Sequence, residues 1–385
     1  MVTMPGNRRN IAVIGATGSV GGAVLDVCSR LQEHFRVWAL AANSDVNGLL
    51  SLGAAFQSDM LVLADPFAAA ELKGKLNGRQ SSYGGIDGLN AIIDDPRCEE
   101  IVFASSGTET LPALVKALKS GRKVYLANKE ILVAAGDWIM PLSREGIIPL
   151  DSEHNAVWQC LQCERPDRVK NVFLTASGGP FLDTPIEDLK KVTFEQAARH
   201  PVWPMGKKIS VDSATLMNKG IEMIEARHLF SLPQGKIKAV IHPQALVHGF
   251  VELVDASVKM LFSKPDMRLA VLSALGFPDR FGNPIDLLSP PDFNELVFEF
   301  REPDEEKFQC LAIAKEASRL GGAYPALLIG ADEGAVSLFM EGKIGFMEIP
   351  ERIRGILASY RGGAPKSWEE SLSLVDFARS MALTI

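Results

Sequence analysis

Short apolar runs alternate with longer helix-like patterns through the first third of the chain. Each apolar run ends in small or polar residues and leads into a segment with helical spacing, a βαβ rhythm that is typical of a parallel sheet. The strand-like runs are residues 10–15, 35–42, 100–105, 123–127 and 146–150. The pattern predicts an α/β class with a doubly wound parallel sheet over residues 1–150, whose ligand crevice lies at the carboxyl ends of the strands.

The pattern changes after residue 150. Residues 151–276 mix strand-like runs with short helices, and Thr184 and Thr193 each begin a helix-capping pattern, which predicts an α+β domain. Prolines and acidic residues concentrate in residues 277–305, which we interpret as a linker. Residues 306–385 carry only helix-like patterns and predict a C-terminal α-helical bundle.

The composition fits a multidomain globular protein. The chain has 385 residues, of which 47% are hydrophobic and 23% charged, so it exceeds one hydrophobic core and has no bias toward disorder. No apolar run approaches the ~20 residues of a membrane span, and the N-terminus lacks the apolar segment of an export signal. Because Cys160 and Cys163 are the only close pair among five cysteines, we expect a reducing, cytoplasmic setting.

The net charge of −7 gives no general attraction for nucleic acid. We therefore expect neither a nucleic-acid partner nor a membrane partner. A bound phosphate would need a local cluster of donors.

A glycine-rich turn, GATGSVGG at residues 15–22, follows the first predicted strand. Glycines there let the backbone approach a pyrophosphate, while the N-terminus of the next helix supplies N–H donors. The alternative is a turn that only packs the helix on the strand, but its place in the first βαβ unit favours a Rossmann-like dinucleotide-binding domain. The choice between NAD and NADP stays open, since Asp45 lies slightly past the usual acidic position and no Lys or Arg is adjacent to it.

Two carboxylates follow the last strand of the predicted sheet. Residues two apart on an extended chain point to the same side, so the side chains of Asp151 and Glu153 would converge. Like charges held that close need a cation or a proton, and hard oxygen donors favour Mg²⁺ or Mn²⁺ over zinc. A solvated acidic turn is the commoner explanation of such a pair. Glu222 is a third candidate carboxylate, and it strengthens the hypothesis of a metal site.

The stretch that leads to Glu222 is rich in groups that bind phosphate. Ser213, Asn218 and Lys219 offer a hydroxyl, an amide and an ammonium group. The turn at residues 177–179 adds backbone N–H groups that can point at an anion. Together these groups indicate a phosphorylated ligand.

These motifs closely resemble one family, the 1-deoxy-D-xylulose 5-phosphate reductoisomerases of the non-mevalonate isoprenoid pathway. The resemblance covers nearly the whole chain, and its motifs are long and specific. They are GATGSVG (15–21), LANKE (126–130), DSEHNA (151–156), SGGPF (177–181), HPVWPMGKKISVDSATLMNKGIEMIEA (200–226), IHPQALVHG (241–249) and PDMR (265–268). The resemblance implies a homodimer with an NADPH-binding domain, a catalytic domain that also builds the dimer interface, a linker and a helical domain.

The resemblance also implies roles for individual residues. The metal ligands would be Asp151, Glu153 and Glu222, holding Mg²⁺, Mn²⁺ or, as a further option, Co²⁺. Residues that match substrate contacts are Lys129, Ser152, Glu153, Ser177, His200, Ser213, Asn218, Lys219 and Glu222. Residues that match NADPH contacts are Thr17, Gly18, Ser19, Val20, Asn43, Ser44, Asn128, Glu130 and Gly206. The catalytic candidates are Lys129, Glu153, His200 and Glu222, and residues 200–205 resemble the lid of the family.

The implied reaction converts 1-deoxy-D-xylulose 5-phosphate to 2-C-methyl-D-erythritol 4-phosphate. A divalent cation would polarise substrate oxygens while a carbon–carbon bond breaks and re-forms, and the resulting aldehyde would take a hydride from NADPH. A lid fits this chemistry, because hydride transfer and a reactive aldehyde both call for the exclusion of water.

Three segments depart from the usual sequence of the family. Residues 43–45 read Asn-Ser-Asp where the family commonly has glycine, then Lys, Arg or Ser, then Asn, so an adenosine 2′-phosphate would lose a cation and meet a carboxylate. Residues 261–263 read Leu-Phe-Ser in place of Gln-Leu-Gly. Residues 329–333 read Ile-Gly-Ala-Asp-Glu in place of Asn-Ala-Ala-Asn-Glu. We interpret the last two as changes of the scaffold.

Two other classes of protein share parts of the pattern. A semialdehyde-type dehydrogenase can open with a similar glycine turn but needs an activated cysteine, for which Cys160 is the candidate. A nucleotide-sensing protein would have no use for three carboxylates beside phosphate donors. We interpret His242 and His248 as core or supporting residues, and Lys207-Lys208 as a solvated basic pair with a phosphate contact as the alternative.

Overall fold

The computed structural model describes residues 8–76, 81–143, 146–203, 206–284 and 292–384. Contacts between Cα atoms divide the chain into two compact units. Unit 1 comprises residues 1–128, 139–155 and 266–289, and unit 2 comprises residues 129–138, 156–265 and 290–385.

The described residues form eleven strands. They are β1 (Arg9–Ile14), β2 (Phe35–Ala42), β3 (Met60–Leu63), β4 (Ser81–Gly84), β5 (Glu100–Phe103), β6 (Lys123–Leu126), β7 (Ile147–Pro149), β8 (Val169–Ala176), β9 (Ile237–Ile241), β10 (Val247–Leu253) and β11 (Val258–Phe262).

The same residues form fifteen α-helices. They are α1 (Ser19–Arg30), α2 (Val46–Phe56), α3 (Pro66–Lys75), α4 (Gly85–Asp94), α5 (Leu111–Lys119), α6 (Lys129–Ile139), α7 (Ser152–Leu161), α8 (Phe194–Ala197), α9 (Lys207–Ala214), α10 (Met217–Phe230), α11 (Met267–Gly276), α12 (Gln309–Leu320), α13 (Tyr324–Met340), α14 (Glu348–Ser359) and α15 (Trp368–Thr384). Among the described residues, no helix is both long enough and apolar enough to cross a membrane.

Unit 1 is built on a seven-stranded parallel sheet in the order β4-β3-β2-β1-β5-β6-β7. This order confirms the predicted doubly wound sheet, with its switch point between β1 and β5. The central strand β1 is buried on both faces, since Ile11, Ala12 and Val13 are fully covered. The sequence analysis did not identify β3, a strand of four buried residues, or β4, a polar edge strand.

Unit 2 contains a four-stranded sheet in the order β11-β10-β8-β9, in which β8 pairs parallel with β9 and antiparallel with β10. One face packs on the core through buried residues such as Val172, Leu174 and Val251. The alternate residues Phe173 and Phe250 lie on the opposite face, and their stacked rings are 4.5 Å apart. This sheet confirms the predicted α+β part of the fold.

The chain after residue 308 is helical, which confirms the predicted C-terminal helical region. Its longest helices, α13 and α15, pack closely because α13 carries two glycines at the contact. A Cβ atom on Gly330 would lie 2.0 Å from the carbonyl oxygen of Val375, and one on Gly334 would lie 2.5 Å from the Cβ of Ala382.

Helix α11 belongs to unit 1, whereas the sequence assigns its residues to the catalytic domain over residues 151–276. It packs on α1, and the Arg268 guanidinium donates to Asp26 Oδ2 at 3.0 Å. The division of the chain into four domains therefore stays a prediction, and the contacts define two units.

Candidate active site

The glycine-rich turn lies at the carboxyl end of β1 in unit 1. Gly15 has φ +87°, and a Cβ atom there would lie 2.5 Å from the carbonyl carbon of Ala104, which follows β5. Thr17, Gly18 and Ser19 are exposed where α1 begins, and the first amides of a helix have no partner within it. The turn therefore presents N–H groups and a tightly approaching backbone, as a pyrophosphate requires.

The loop after β2 is exposed at Asn43, Ser44 and Asp45. Asp45 is the N-cap of α2, and its Oδ1 accepts a hydrogen bond from the Gly48 amide at 2.9 Å. The carboxylate that the sequence places near the cofactor thus has a structural role as a helix cap. In the same unit, buried Asn128 donates to the Gly107 carbonyl at 2.6 Å, close to the end of β6.

Asp151 and Glu153 lie at the N-terminus of α7, and one carboxylate oxygen of each lies within 4.8 Å of the other, which confirms that the two side chains converge. The extended-chain reason for this convergence is wrong, because the start of a helix brings them together. Asp151 Oδ1 accepts from the amides of Glu153 and His154 at 3.2 and 3.3 Å, because it caps the first turn of the helix. It also lies 2.9 Å from Nδ1 of His154, whose side chain is fully buried. The sequence missed this positioning role of His154, although a histidine three residues after an aspartate could have indicated it.

A second group of site residues meets in unit 2 around Glu222, a fully buried residue. Lys129 Nζ donates to Glu222 Oε1 at 3.1 Å and to Asn218 Oδ1 at 2.9 Å. The Asn218 amide also donates to Glu222 Oε1, at 2.5 Å, and Lys219 donates to Glu222 Oε2. Two ammonium groups thus face one carboxylate in a buried setting, where charge–charge attraction is strong.

Ser177 and His200 lie together in unit 2. His200 Nδ1 accepts from the amides of Val202 and Trp203 at 3.2 and 2.8 Å, so a neutral ring carries its proton on Nε2. That Nε2–H donates to Ser177 Oγ at 3.1 Å. The two predicted substrate contacts therefore form one hydrogen-bonded pair.

A strained turn joins α9 to α10. Leu216 has φ +57°, a conformation that bulky residues rarely adopt, and it is buried. The turn directly connects the end of α9, where Ser213 lies, to the first turn of α10, which carries Asn218 and Lys219. Gly179 packs against this region, since a Cβ atom there would lie 2.8 Å from the Ser213 carbonyl oxygen.

The described part of the predicted lid is residues 200–203, and Pro204 and Met205 lie outside the described residues. The Trp203 ring is 6.3 Å from the ring of His248. His248 is buried, and its Nε2 lies 2.9 Å from Ser263 Oγ. His248 thus supports the lid segment, in agreement with its interpretation as a supporting residue.

The interpretation of Lys207-Lys208 as a solvated pair is wrong for Lys208. Lys207 is exposed, but Lys208 Nζ donates to Asp212 at 2.7 Å and to Asp332 at 2.6 Å. The helical spacing turns adjacent residues of α9 to different sides, so one lysine faces solvent and the other the protein. Gly206 precedes them as the N-cap of α9, and Glu130 lies half-buried in the first turn of α6.

All five cysteines lie in the described part of the chain and carry free thiols. Burial raises the pKa of the Cys160 thiol to about 11. A thiol that stays protonated at neutral pH is a poor nucleophile, which argues against the semialdehyde-type dehydrogenase.

The fold and these groups define a class of protein, a dinucleotide-binding enzyme with carboxylate and ammonium groups gathered in a second unit. Sequence profiles then identify the family. The profile of 1-deoxy-D-xylulose 5-phosphate reductoisomerase matches residues 11–136, and profiles of its C-terminal domains match residues 147–230 and 262–381. The chain belongs to the 1-deoxy-D-xylulose 5-phosphate reductoisomerase family, as its motifs predict.

Relatives and solved structures agree with this assignment. The reductoisomerase of Caldanaerobacter subterraneus subsp. tengcongensis is 43% identical over 92% of this chain and 93% of its own length. That of Chlorobium phaeobacteroides is 39% identical over 97% and 98%. The Zymomonas mobilis enzyme in complex with NADPH superposes with a TM-score of 0.90 at 37% identity, over 98% of each chain. A reductoisomerase in complex with NADPH, fosmidomycin and magnesium gives a TM-score of 0.89 at 34% identity, over 97% of each.

Proposed function

We propose that this chain converts 1-deoxy-D-xylulose 5-phosphate to 2-C-methyl-D-erythritol 4-phosphate, using NADPH and a divalent cation. The observation that carries the proposal is the buried group around Glu222, in which Lys129, Asn218 and Lys219 all contact one carboxylate. This group stands on a chain whose family members include enzymes solved with NADPH and with magnesium.

The glycine-rich turn fits NADPH, because the backbone at Gly15 leaves no space for a Cβ atom. Thr17, Gly18, Ser19 and Val20 would bind the pyrophosphate through the N-terminus of α1. Asn43 and Ser44 would contact the adenosine ribose and its phosphate. Asn128, Glu130 and Gly206 would complete the cofactor site.

Three carboxylates suit a hard divalent cation such as Mg²⁺, Mn²⁺ or Co²⁺. We assign its binding to Asp151, Glu153 and Glu222. The bound cation would supply Lewis-acid polarisation of substrate oxygens. The residues of the chain orient this donor set, since His154 holds Asp151 while Lys129 and Lys219 hold Glu222.

The substrate phosphate would lie among hydroxyl, amide and ammonium donors. We assign it to Ser177, Ser213, Asn218 and Lys219, with Ser152 and His200 contacting the rest of the sugar. Ser177 is oriented by His200, whose Nε2–H donates to its hydroxyl. Binding at the phosphate, away from the reacting carbons, supplies energy for closing the segment around Trp203 over the site.

The direct test follows absorbance of the reduced nicotinamide. The purified chain is mixed with 1-deoxy-D-xylulose 5-phosphate and Mg²⁺, Mn²⁺ or Co²⁺, with NADPH and NADH in parallel and with or without chelator. We expect chelator-sensitive oxidation of NADPH. A folded protein that binds nucleotide but oxidises neither cofactor would contradict the proposed substrate.

Replacement of Glu222 by Gln tests the assigned metal ligand. The amide keeps the shape of the side chain but removes the charge that two lysines and the cation share, so we expect turnover to fall below detection. NADPH binding, measured by fluorescence titration, should stay within about twofold, a shift far smaller than the 1.4 kcal/mol of a tenfold change. Glu187→Gln, at an exposed carboxylate, serves as control. An equal loss of cofactor affinity in Glu222→Gln would contradict the role.

We also propose that the protein is a cytoplasmic homodimer. The outer face of the four-stranded sheet in unit 2 carries an apolar patch, with Phe173 stacked on Phe250 and Phe300 5.5 Å from Phe250. Val258, Phe293 and Val297 add side chains that are 52–68% exposed. A contiguous apolar patch of this kind favours association, and a second copy of the chain supplies a matching surface. Five free thiols are consistent with a reducing compartment.

A further inference from the structure

A compact group of charges lies between α9 and α13 in unit 2. Lys208 Nζ donates to Oδ2 of Asp212 on the same helix at 2.7 Å and to Oδ2 of Asp332 on α13 at 2.6 Å. The exposed fractions of the three side chains are 29%, 5% and 1%. We call Lys208, Asp212 and Asp332 the α9 anchor.

The α9 anchor places two carboxylates on one lysine. The Oδ1 atoms of Asp212 and Asp332 are buried and have no hydrogen-bond partner among the described residues. A buried carboxylate with an unsatisfied oxygen costs free energy, and a second buried negative charge beside it adds to that cost. A proton on one of the two carboxyl groups would leave a single ion pair with Lys208.

Other charged or titratable groups lie near the anchor. They are Glu130 on α6, Glu333 on α13 and Cys310 on α12, with Arg379 of α15 beside Glu333 and Arg354 of α14 near Cys310. Arg379 is paired with Glu333, its Nε 2.7 Å from Oε2, so the lysine is the cation that contacts both aspartates. Burial and the Asp332 carboxylate raise the pKa of Asp212 to about 8, although Lys208 acts in the opposite direction. Burial lowers the pKa of Lys208, but Asp212, Asp332 and Glu130 together hold it well above its ordinary value.

Helix α9 connects two predicted contact residues. Gly206 is its N-cap, and Ser213 lies one residue before its end. Lys208, in the first turn, contacts Asp332 on α13 and Asp212 in the last turn of α9 itself. The anchor therefore ties the first turn of α9 to α13 and links Lys208 to the other end of the same helix. A helix of eight residues is too short to be stable by itself, and its position therefore depends on such contacts.

We propose that Lys208, Asp212 and Asp332 are positioning residues, which hold α9 against α13 and thereby set Gly206 for the cofactor and Ser213 for the substrate phosphate. We expect the anchor to hold α9 more firmly while Asp212 is protonated than when it is ionised. This proposal rests on the proposed function.

The first test compares wild type with Asp332→Asn, which keeps the shape of the side chain and removes one negative charge. A carboxyl group whose pKa is higher in the folded than in the unfolded protein lowers the stability of the folded state as pH rises from the unfolded pKa, and the loss levels off above the folded pKa. Since the pKa of Asp212 is raised from 3.8 to about 8, the wild type should lose stability to urea between those two pH values, and kcat/KM for 1-deoxy-D-xylulose 5-phosphate should decline around the folded pKa. Asp332→Asn should flatten both profiles. If the variant keeps the wild-type pH dependence of both, the proposal is overturned.

The second test compares neighbouring lysines. Lys208→Gln should raise the KM for the sugar phosphate and the Kd for NADPH by about tenfold with a smaller change in kcat, since a displacement near 1 Å has large effects on binding geometry. Lys207→Gln, at the exposed neighbour, should leave both near wild type. Equal values of KM and Kd in the two variants would overturn the positioning role. If Lys208→Gln fails to fold, Asp332→Asn decides the question.

Different results would refute the proposed function and the positioning role of the α9 anchor. A wild type without reductoisomerase activity would refute the proposed function, while the urea profiles and NADPH titrations of Asp332→Asn would still test the anchor. Normal activity with identical pH profiles in wild type and Asp332→Asn would refute the anchor alone.

Discussion

At the scale of single residues, the conformation of Gly15 determines the nucleotide-binding turn. Gly15→Ala would place a Cβ atom 2.5 Å from the Ala104 backbone at φ +87°, so the turn must open at a cost of ~1–3 kcal/mol. We expect the Kd for NADPH, measured by fluorescence titration, to rise more than tenfold. Gly22→Ala is the matched control, because a Cβ atom there meets nothing within 4 Å. Equal NADPH binding by both variants would show that the close approach at Gly15 is irrelevant.

The sequence could predict which residues belong to the candidate site, but it could not predict every contact that they and their neighbours make. The motifs named Lys129, Asn218, Lys219 and Glu222, and the structure brings these four side chains into contact in unit 2. The sequence could not give the burial of Lys208, because its partner Asp332 lies 124 residues further along the chain. A long-range pair of this kind leaves no local pattern.

At the scale of elements, the cap of α2 bears on the choice of cofactor. Asp45→Asn keeps the hydrogen bond to the Gly48 amide but removes the carboxylate from the loop that would face an adenosine 2′-phosphate. Asn and Asp are similar N-caps, so stability should change little. We expect the ratio of kcat/KM for NADPH to that for NADH to rise by about two- to fivefold at low salt, the range of an exposed charge interaction.

A matched control exists on the next helix. Asp65 caps α3 in the same way, its Oδ1 accepting from the Ala68 amide at 2.8 Å. Asp65→Asn should leave the NADPH-to-NADH ratio unchanged, and the effect of Asp45→Asn should shrink at high salt. Similar ratios in both variants would mean that the Asp45 carboxylate does not influence the cofactor.

Elements with a strong local signal were predicted well, and those formed by tertiary contacts were not. Strand β2 has the predicted bounds, and the capping pattern at Thr193 forms, with its amide donating to Gln196 Oε1 at 2.9 Å. The similar pattern at Thr184 does not form a cap, since Pro185 precedes a 3₁₀ helix there. Strand β10 was not predicted, because a glycine and a register shift interrupt the alternation of its buried and exposed residues. It nevertheless pairs with a strand on each side within the sheet.

At the scale of the whole molecule, the outer face of the four-stranded sheet is the candidate surface for association with a second copy of the chain. Two of its central strands present the stacked pair Phe173 and Phe250, and the edge strand β11 is only partly covered. Aromatic side chains that stay accessible on a sheet face favour association. The predicted dimer would bury this face against the same face of a second copy, since a two-fold axis repeats one patch on both subunits.

Sedimentation equilibrium tests this arrangement directly. For a chain of 41.7 kDa, we expect a dimer at micromolar concentration in the wild type. Phe250→Lys should give a monomer, because a charge at the centre of an apolar interface must be desolvated without a partner. Phe67→Lys provides the control, since Phe67 is 87% exposed in unit 1, and it should remain dimeric. A monomeric wild type, or a dimeric Phe250→Lys variant with a native circular dichroism spectrum, would exclude the sheet face as the interface.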